Sequence, residues 1–453
     1  MTIHAKRALL GKTWAKNVRV TVTDGCIDGV FLEQSPQSED TEVDTLLPAL
    51  ANLHSHAFQR AMAGMTEFRA AGKESFWTWR DLMYRFLDHL SPDQVEAIAA
   101  LVFMEMQKAG YASVGEFHYV HHQPGGRSYD TLSELSQRIF AAAQETGIGL
   151  THLPVLYTYG GVNQEPLTGG QLRFSNDVAR FLRLVQDCES QLQSMPADCR
   201  IGIAPHSLRA TSPADLAEVL TQRPEGPVHI HISEQLKEVV DVEAKLGQRP
   251  VSWLLDNAEV NNRWCLIHAT HMTDEETVAM AQSGAVAGLC PITEANLGDG
   301  IFNGVPYLNN GGAFGLGSDS NVRISLTEEL RTLEYSQRLR DKARNVLADE
   351  AGSTGKTLYT KAAKGGALAL NRQAGEIGVG QLADLVAIDS THPTLFALND
   401  AQLLDGLCFA AGDEVVTDTW SAGRHVVKSG HHVAQDHITR RFKRAMRGLL
   451  DAV

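Results

Sequence analysis

The sequence predicts an α/β fold, a (β/α)8 TIM-type barrel that carries a small β-sandwich domain formed from both chain ends. Short apolar, strand-like runs such as GIGLTHLPVL, VHIHI and WCLIHA recur along the middle of the chain. Helical patterns such as PDQVEAIAALVFMEMQKAG and SPADLAEVLTQR lie between them. This alternation is typical of parallel strands that are joined by right-handed crossovers, and it therefore predicts the barrel.

The two ends of the chain predict the second domain. Residues 1–48 contain short alternating stretches broken by Gly and Asp, as expected of small antiparallel strands, and residues 374–453 contain further strand-like runs with Gly turns. Each set needs a partner sheet, so we expect both to pair in one β-sandwich domain, with residues 49–373 forming the barrel. The closing HITRRFKRAMRGLL predicts a terminal amphipathic helix; its basic residues indicate a solvated face or an anionic partner, and we favour the solvated face.

Composition excludes several classes of protein. The chain has 453 residues, enough for one large barrel and a smaller domain, and its net charge of −14 argues against a nucleic-acid partner. An apolar run of about 18 residues or more, which a membrane span requires, is absent from the sequence. The start lacks the pattern of a secretory signal, and the six cysteines have no paired metal-ligand spacing. We expect a cytoplasmic protein that binds neither nucleic acid nor a membrane.

Four separated segments end in residues that can bind one metal ion. Their donors are His54 and His56 in LPALANLHSHAFQR, His231 and Glu234 in VHIHISEQ, His268 in LIHATH, and Asp319 in GLGSDS. Each donor follows an apolar run, and the C-terminal ends of barrel strands converge on one mouth. Imidazole and carboxylate groups around an open position are typical of a catalytic zinc site. A chance His-x-His pair, a helix cap or a buried histidine explains each segment alone, but all four accidents would have to occur together.

The segment after the first two histidines indicates a substrate lid. Residues 57–85 carry several aromatic side chains and Arg80. A guanidinium group matches a carboxylate in a bidentate way that Lys cannot, so Arg80 and Arg209 are candidates for holding the two carboxylates of a dicarboxylate. Arg80 can equally be a surface charge. Tyr119, near the end of the second barrel strand, is either a hydroxyl donor or core packing.

The chain resembles the amidohydrolase superfamily, and within it the mononuclear branch that deaminates amidines, guanidines and ring C–N bonds. The motifs that carry the resemblance are LPALANLHSHAFQR, APHSLRATS, VHIHISEQ, LIHATH, CPITEANLGDG, LGSDSNVRI and GEIGVGQLADLVAID. The resemblance implies that the metal ligands are His54, His56, His231 and Asp319. It also implies that Glu234 and His268 transfer protons. His229 lies on the same strand face as His231. We choose His231 as the ligand because the pattern His-x-x-Glu places the acid just beyond it, and His229 then has a supporting role.

A missing lysine favours one metal ion per chain, with zinc as the first choice. Dinuclear relatives bridge two metals with a carboxylated lysine late in a middle barrel strand, but GIGLTHLPVLYTYGG contains no lysine. The implied nucleophile is a hydroxide on that single ion. Asp319 would take or hold the water proton, Glu234 would protonate the substrate nitrogen, and His268 would stabilise the developing oxygen charge.

A closer resemblance is to the N-formimidoyl-L-glutamate deiminases of histidine degradation, carried by HSHAFQRAMAGMTE, ESFWTWRDLMYRF and VGEFHYVHH. It implies hydrolysis of the formimidoyl C=N group to give N-formyl-L-glutamate and ammonia. It also implies that Gln59 and His206 bind the formimidoyl and adjacent polar groups, and that Tyr119, Arg80 and Arg209 bind the glutamate carboxylates. The expected partners are this small molecule and a second copy of the chain in a homodimer.

Two alternatives remain open at this level. A related aminohydrolase that deaminates a purine of the guanine or adenosine type would need stacking aromatics, which Phe76, Trp77 and Trp79 supply. A catalytically inactive binding protein of the same fold would need missing ligands, and none is missing from the sequence.

Overall fold

The computed structural model describes residues 1–67, 76–350 and 352–451, with the side chains of residues 76–81 outside the description. The strands within these residues are, in chain order, β1 (Thr2–Leu10), β2 (Thr13–Thr23), β3 (Cys26–Phe31), β4 (Thr41–Pro48), β5 (Leu50–Ser55), β6 (Tyr111–His118), β7 (Gly149–Leu156), β8 (Arg200–Ile201), β9 (Ala204–Pro205), β10 (Val228–Ile232), β11 (Trp264–His268), β12 (Val286–Leu289), β13 (Ala313–Leu316), β14 (Leu385–Ile388), β15 (Val416–Ser421), β16 (Arg424–Lys428) and β17 (His431–His432).

The α-helices alternate with the strands of the middle region and also close the chain. They are α1 (Phe76–Leu87), α2 (Pro92–Lys108), α3 (Glu134–Thr146), α4 (Val178–Leu192), α5 (Pro213–Gln222), α6 (Leu236–Leu246), α7 (Pro250–Asn257), α8 (Asp274–Ser283), α9 (Pro291–Leu297), α10 (Gly304–Asn309), α11 (Leu326–Asp341), α12 (Thr354–Ala369), α13 (Leu403–Phe409) and α14 (Gln435–Leu450).

The middle strands form a closed parallel barrel. The strand order is β10-β11-β12-β13-β5-β6-β7-β8, and β9 pairs with β7. The short strands β8 and β9 together make one interrupted stave, because a parallel bridge from Ile203 to Val228 joins this segment to β10. On the other side, β13 pairs with β5 through Leu316 and Asn52. The eight staves are connected by helices, so the predicted (β/α)8 fold is confirmed.

Local sequence signals fix where several barrel helices begin. Ser91 caps α2: its hydroxyl accepts a hydrogen bond from the Gln94 backbone N–H, and its own backbone N–H donates to the Gln94 side-chain oxygen. Thr273 and Glu276 form the same reciprocal box at α8. Strands β5, β6 and β7 are buried along their whole length, as expected of parallel strands covered on both faces.

Both ends of the chain contribute to a second sheet of eight strands, in the order β17-β16-β15-β14-β4-β1-β2-β3. A bridge between Cys26 and Leu382 brings the edge strand β3 back to the segment before β14, which curls the sheet around its own apolar core. Most pairs are antiparallel as expected, but β1 and β4 are parallel. The two ends therefore form one β-domain beside the barrel. The terminal helix α14 packs on α2 through buried residues that include Ile438 and Leu449.

A buried ionic network joins this sheet to the barrel. The Arg372 guanidinium is fully buried and donates to the Asp384 carboxylate at 2.9 and 3.0 Å and to the Asp198 carboxylate at 3.2 Å. Arg424 donates to the same Asp198 at 2.7 and 2.8 Å. Burial raises the pKa of the Asp198 carboxyl, but the two guanidinium groups outweigh burial and hold the pKa below its usual value. Asp198 is therefore a shared anionic anchor.

Among the described residues, no helix combines the length and the apolar character that crossing a membrane requires.

Replacing Arg372 with Met should destabilise the protein by about 3–5 kcal/mol, because removing one partner leaves buried carboxylates without a counter-charge. Chemical denaturation followed by circular dichroism measures this change. Arg323→Met is the control: Arg323 pairs with Glu328 at the surface, where its side chain is 62% exposed, and its loss should cost less than about 1 kcal/mol. Equal losses for the two variants would show that the network does not join the domains energetically.

Candidate metal centre and active site

The barrel brings its polar side chains together at the C-terminal ends of its strands. His54 lies at the end of β5 and His56 follows it, while His231 lies near the end of β10. Asp319 comes three residues after β13. A parallel bridge between Ser55 and Asp319 brings the first and last staves into contact at this level. Side chains that are up to 265 positions apart in the sequence therefore meet at one mouth.

The four side chains are spaced as ligands of one cation. Their ligand atoms, from His54, His56, His231 and Asp319, all lie within 4.8 Å of one another, and all four residues are buried. The Nε2 atoms of His54 and His231 are 3.0 Å apart, and the Asp319 Oδ1 atom lies 3.4 Å from His54 Nε2 and 3.3 Å from His56 Nε2. Zinc–nitrogen bonds of about 2.0–2.1 Å at a tetrahedral angle would separate two ligand atoms by roughly 3.3 Å.

Hydrogen bonds to the backbone orient two of the histidines. His56 Nδ1 donates to the Phe117 carbonyl at 2.9 Å, and His231 Nδ1 donates to the His206 carbonyl at 3.1 Å. Their Nε2 lone pairs consequently face the cluster, as metal-binding imidazoles require. Burial lowers the pKa of all three histidines, that of His54 to about 3, so the rings are neutral at physiological pH. Neutral rings and converging lone pairs fit a divalent metal ion.

The carboxylate partner is ionised and held in a strained backbone. Burial alone would raise the pKa of Asp319, but the hydrogen bond from His54 and the charge of His268 lower it strongly. Asp319 has φ +47°, and further non-glycine residues at the mouth share the left-handed region: Ser233, His268, Ala269 and Asn321. Such conformations cost of order 1–3 kcal/mol each and persist only where the surrounding structure fixes them. The mouth thus gives up stability to aim its side chains.

Glu234 and His268 lie beside this cluster. His268 Nε2 is 3.9 Å from Glu234 Oε1 and 3.9 Å from Asp319 Oδ2. Burial raises the pKa of the Glu234 carboxyl. Burial opposes the charge on His268, but Glu234 and the other neighbouring carboxylates outweigh it and raise the pKa of His268 to about 10. A proton-bearing imidazole and a carboxyl with a raised pKa therefore stand next to the four clustered donors.

The cluster forms the floor of a pocket that contains most of the predicted substrate residues. Gln59, Tyr119, His206 and Arg209 all line it. Gln59 Nε2 donates to the Tyr119 hydroxyl at 2.6 Å, while the buried Gln59 Oε1 atom has no hydrogen-bond partner among the described residues. A buried carbonyl without a partner is costly, so this atom is suited to accept a hydrogen bond from a ligand N–H.

The two predicted arginines have different outcomes. The Arg209 guanidinium lines the pocket and is paired with Glu234 at 3.4 Å and with Glu238 at 3.8 Å. The Arg80 side chain lies outside the described residues, as do those of Phe76, Trp77 and Trp79; their backbone belongs to α1. The substrate role of Arg80 stays a prediction.

His229 lies one layer below His231 in the barrel. Its Nε2 atom is hydrogen-bonded to the Ala369 carbonyl, at the end of α12, at 2.9 Å. His229 is not part of the cluster of four candidate ligands. This geometry supports the choice of His231 as a ligand.

The pocket also contains side chains that the sequence analysis did not single out. They are Met83, Tyr84, Tyr157, Phe174, Leu297 and Ser320. Tyr157 directly follows β7 and Ser320 directly follows Asp319, so the strand-end rule could have found both. Phe174 lies in a loop and Leu297 is the last residue of α9, and neither position had such a signal. None of the described lining residues is a lysine.

The fold and the site together fit a hydrolase of the barrel type with a side-chain cluster that could bind a metal ion, and the comparisons with known proteins agree. The Amidohydrolase family model matches residues 45–426, and the chain belongs to this family. A second model, Formimidoylglutamate deiminase HutF, N-terminal domain, matches residues 1–42.

Individual proteins and structures are similar to this chain over nearly its whole length. Formimidoylglutamate deiminase of Pseudomonas aeruginosa is 49% identical over 99% of both chains. The crystal structure of an amidohydrolase from Brucella melitensis is 47% identical, covers 99% of both chains and superposes with a TM-score of 0.95. A zinc-bound adenosine deaminase structure from Xanthomonas campestris has a TM-score of 0.82 at 22% identity, covers 99% of this chain and 98% of its own, and shows the shared fold alone.

We expect the purified protein to contain one divalent ion per chain, measured by inductively coupled plasma mass spectrometry. His231→Gln should lower this content strongly because it removes one of the four clustered donors. His229→Gln is the matched control on the same strand, and it should retain the ion because His229 bonds to the Ala369 carbonyl instead. Two tightly bound ions per chain, or equal metal loss in both variants, would contradict the assignment.

Proposed function

We propose that this protein hydrolyses N-formimidoyl-L-glutamate to N-formyl-L-glutamate and ammonia, using one divalent metal ion, with zinc as the first choice. One observation carries the proposal: three histidines and an aspartate converge within 4.8 Å at a pocket that also contains Glu234 and His268. These last two are the residues predicted to transfer protons. The 49% identity to the P. aeruginosa deiminase supports the choice of substrate.

The residues that would hold the ion are His54, His56, His231 and Asp319. When bound, such an ion supplies Lewis acidity and lowers the pKa of a water molecule to near neutral. Asp319 accepts the proton of the attacking water, which adds to the formimidoyl carbon. Glu234 delivers a proton to the terminal nitrogen of the formimidoyl group, which in its cationic form already carries two hydrogens, and this nitrogen leaves as ammonia when the C–N bond breaks. The added hydroxyl returns its proton to Glu234 as the formyl C=O bond forms. His268 donates a hydrogen bond to the oxygen that develops negative charge.

The remaining pocket residues would set the specificity. Gln59 presents to an N–H of the substrate the carbonyl oxygen that lacks a partner among the described residues, and His206 provides a further polar contact. Tyr119, Arg209 and Arg80 bind the two glutamate carboxylates. Arg209 would then exchange part of its present pairing with Glu234 and Glu238 for a substrate carboxylate. A place in histidine degradation, a cytoplasmic location and a homodimer belong to the same proposal and rest on the family resemblance.

Glu234→Gln should lower kcat by about 10²–10⁴-fold, because the amide keeps the shape of the side chain but cannot transfer the proton. The metal content should stay at one ion per chain. Ammonia release and metal analysis measure the two effects, and Glu243→Gln, on the exposed face of α6, is the control with normal activity. Metal loss in Glu234→Gln would make this residue a ligand, and near-normal turnover would reject its role.

Arg209→Met and Arg80→Met should each raise KM for formimidoyl-glutamate roughly 10- to 100-fold, since each removes a charge-assisted hydrogen bond to a carboxylate. Lys237→Met controls for the loss of positive charge, because Lys237 lies on the adjoining outer cleft with its side chain 60% exposed. A formimidoyl amino acid without the side-chain carboxylate should respond little to the arginine that held the missing group. A normal KM in both variants, or faster turnover of a purine than of any formimidoyl amino acid, would contradict this substrate assignment and favour a purine substrate.

A further inference from the structure

A glutamate outside the residues assigned above contacts His268 from behind. Glu294 lies on α9, in the CPITEANLGDG segment that follows β12, and it is buried. Its Oε1 atom accepts a hydrogen bond from the Cys290 backbone N–H at 3.0 Å and faces His268 Nδ1 at 3.3 Å. The carboxylate is thus fixed by its own helix N-terminus and presented to the imidazole.

The other polar contacts of the His268 ring cannot orient it. The distances from Nε2 to Glu234 and to Asp319 are both 3.9 Å, beyond hydrogen-bond range. The ring also stacks on His231 with centroids 5.6 Å apart, a contact that a ring flipped by 180° about its Cβ–Cγ bond would keep. Among the described contacts, the one with Glu294 is therefore the directional one.

We propose that Glu294 is a positioning residue for the reaction: it accepts a hydrogen bond from His268 Nδ1–H and thereby directs Nε2 at the reacting atoms. This inference rests on the proposed function. It follows the general rule that the hydrogen bond made by one imidazole nitrogen sets the role of the other. Without Glu294, the ring could rotate or present the wrong nitrogen.

A metal site is an alternative role for this place. Potential ligand atoms lie within 4.8 Å of one another on the side chains of His268, Cys290 and Glu294. The hydrogen-bond arrangement favours positioning, because the Glu294 oxygen that faces His268 already accepts the Cys290 N–H. A second metal ion at this place would be a different result, and the experiment below distinguishes it.

The segment that carries Glu294 is held by contacts of its own. The Ile292 N–H donates to the Glu329 carboxylate at 2.9 Å, and Thr293 Oγ1 lies 2.9 Å from Ser320 Oγ. Variants at Glu294 should therefore retain the position of α9. Glu329 also provides a matched control, because it is an equally buried glutamate that bonds to the same segment but is not a partner of His268.

Steady-state kinetics with formimidoyl-glutamate tests the proposal. Glu294→Ala should lower kcat about 10²-fold with KM nearly unchanged, because the lost interaction acts in the transition state. Glu294→Gln keeps an acceptor oxygen for both N–H groups and should recover to within about tenfold of the unmodified enzyme. Glu329→Ala loosens the same segment without removing a partner of His268, so its kcat should fall much less than that of Glu294→Ala. A normal kcat in Glu294→Ala, or equal losses in the Glu294 and Glu329 variants, would overturn the proposal.

A double-mutant cycle shows whether Glu294 acts through His268. In a His268→Gln background, Glu294→Ala should cause little further loss, whereas additive losses would contradict the proposed route. Proton NMR gives a readout that does not depend on activity: a downfield imidazole N–H signal should disappear in His268→Gln and in Glu294→Ala but persist in Glu329→Ala. Loss of a second bound metal ion in Glu294→Ala would identify Glu294 as a ligand instead. If the unmodified enzyme does not hydrolyse formimidoyl-glutamate, the proposed function fails, while the NMR comparison still decides the contact.

Discussion

The closure of the barrel between β5 and β13 is the constraint on which the site depends. The Asp319 N–H donates to the His54 carbonyl at 3.0 Å, and the His56 N–H donates to the Asp319 carbonyl at 2.9 Å. These two backbone bonds join the first and last staves at the level where the clustered side chains of His54, His56 and Asp319 emerge. The separation of these three candidate ligands is therefore set by sheet geometry, and any shift in the β5–β13 register would move Asp319 away from the histidines.

A buried polar network behind the clustered side chains supports this closure. Asn52 Nδ2 donates to Ser318 Oγ at 2.7 Å, Ser318 Oγ donates to Asn321 Oδ1 at 2.6 Å, and Asn321 Nδ2 donates to Ser55 Oγ at 3.2 Å. The network crosses from β5 to the strained loop of Asp319, whose carbonyl also accepts from Asn321 at 3.1 Å. Fully bonded polar groups at this depth hold one arrangement because every alternative leaves a buried donor or acceptor unpaired.

Much of the site could be predicted from the sequence because its residues occupy strand ends. The strand period of two places His54 beside His56 on one face, and parallel strands deliver their ends to one mouth. The same rules placed Asp319, Glu234 and His268 in one pocket, as the structure shows. The period also put His229 on the face of His231, so periodicity alone could not separate the two. The hydrogen bond of His229 to the Ala369 carbonyl at the end of α12 separates them.

The remainder of the site depends on side chains that meet across loops, which no local pattern encodes. Glu294 belongs to a segment that the sequence analysis quoted, yet its contact with His268 follows from how α9 is held against β11, 26 residues away in sequence. The pairing of Arg209 with Glu234 and Glu238 was equally invisible, since the sequence indicates a free cation for a carboxylate. In both cases the residue type indicated a functional side chain, but the sequence did not indicate which residue it would contact. Because desolvation makes every buried charge depend on its nearest counter-charge, the chemistry of such residues is decided by tertiary contacts rather than by their position in a motif.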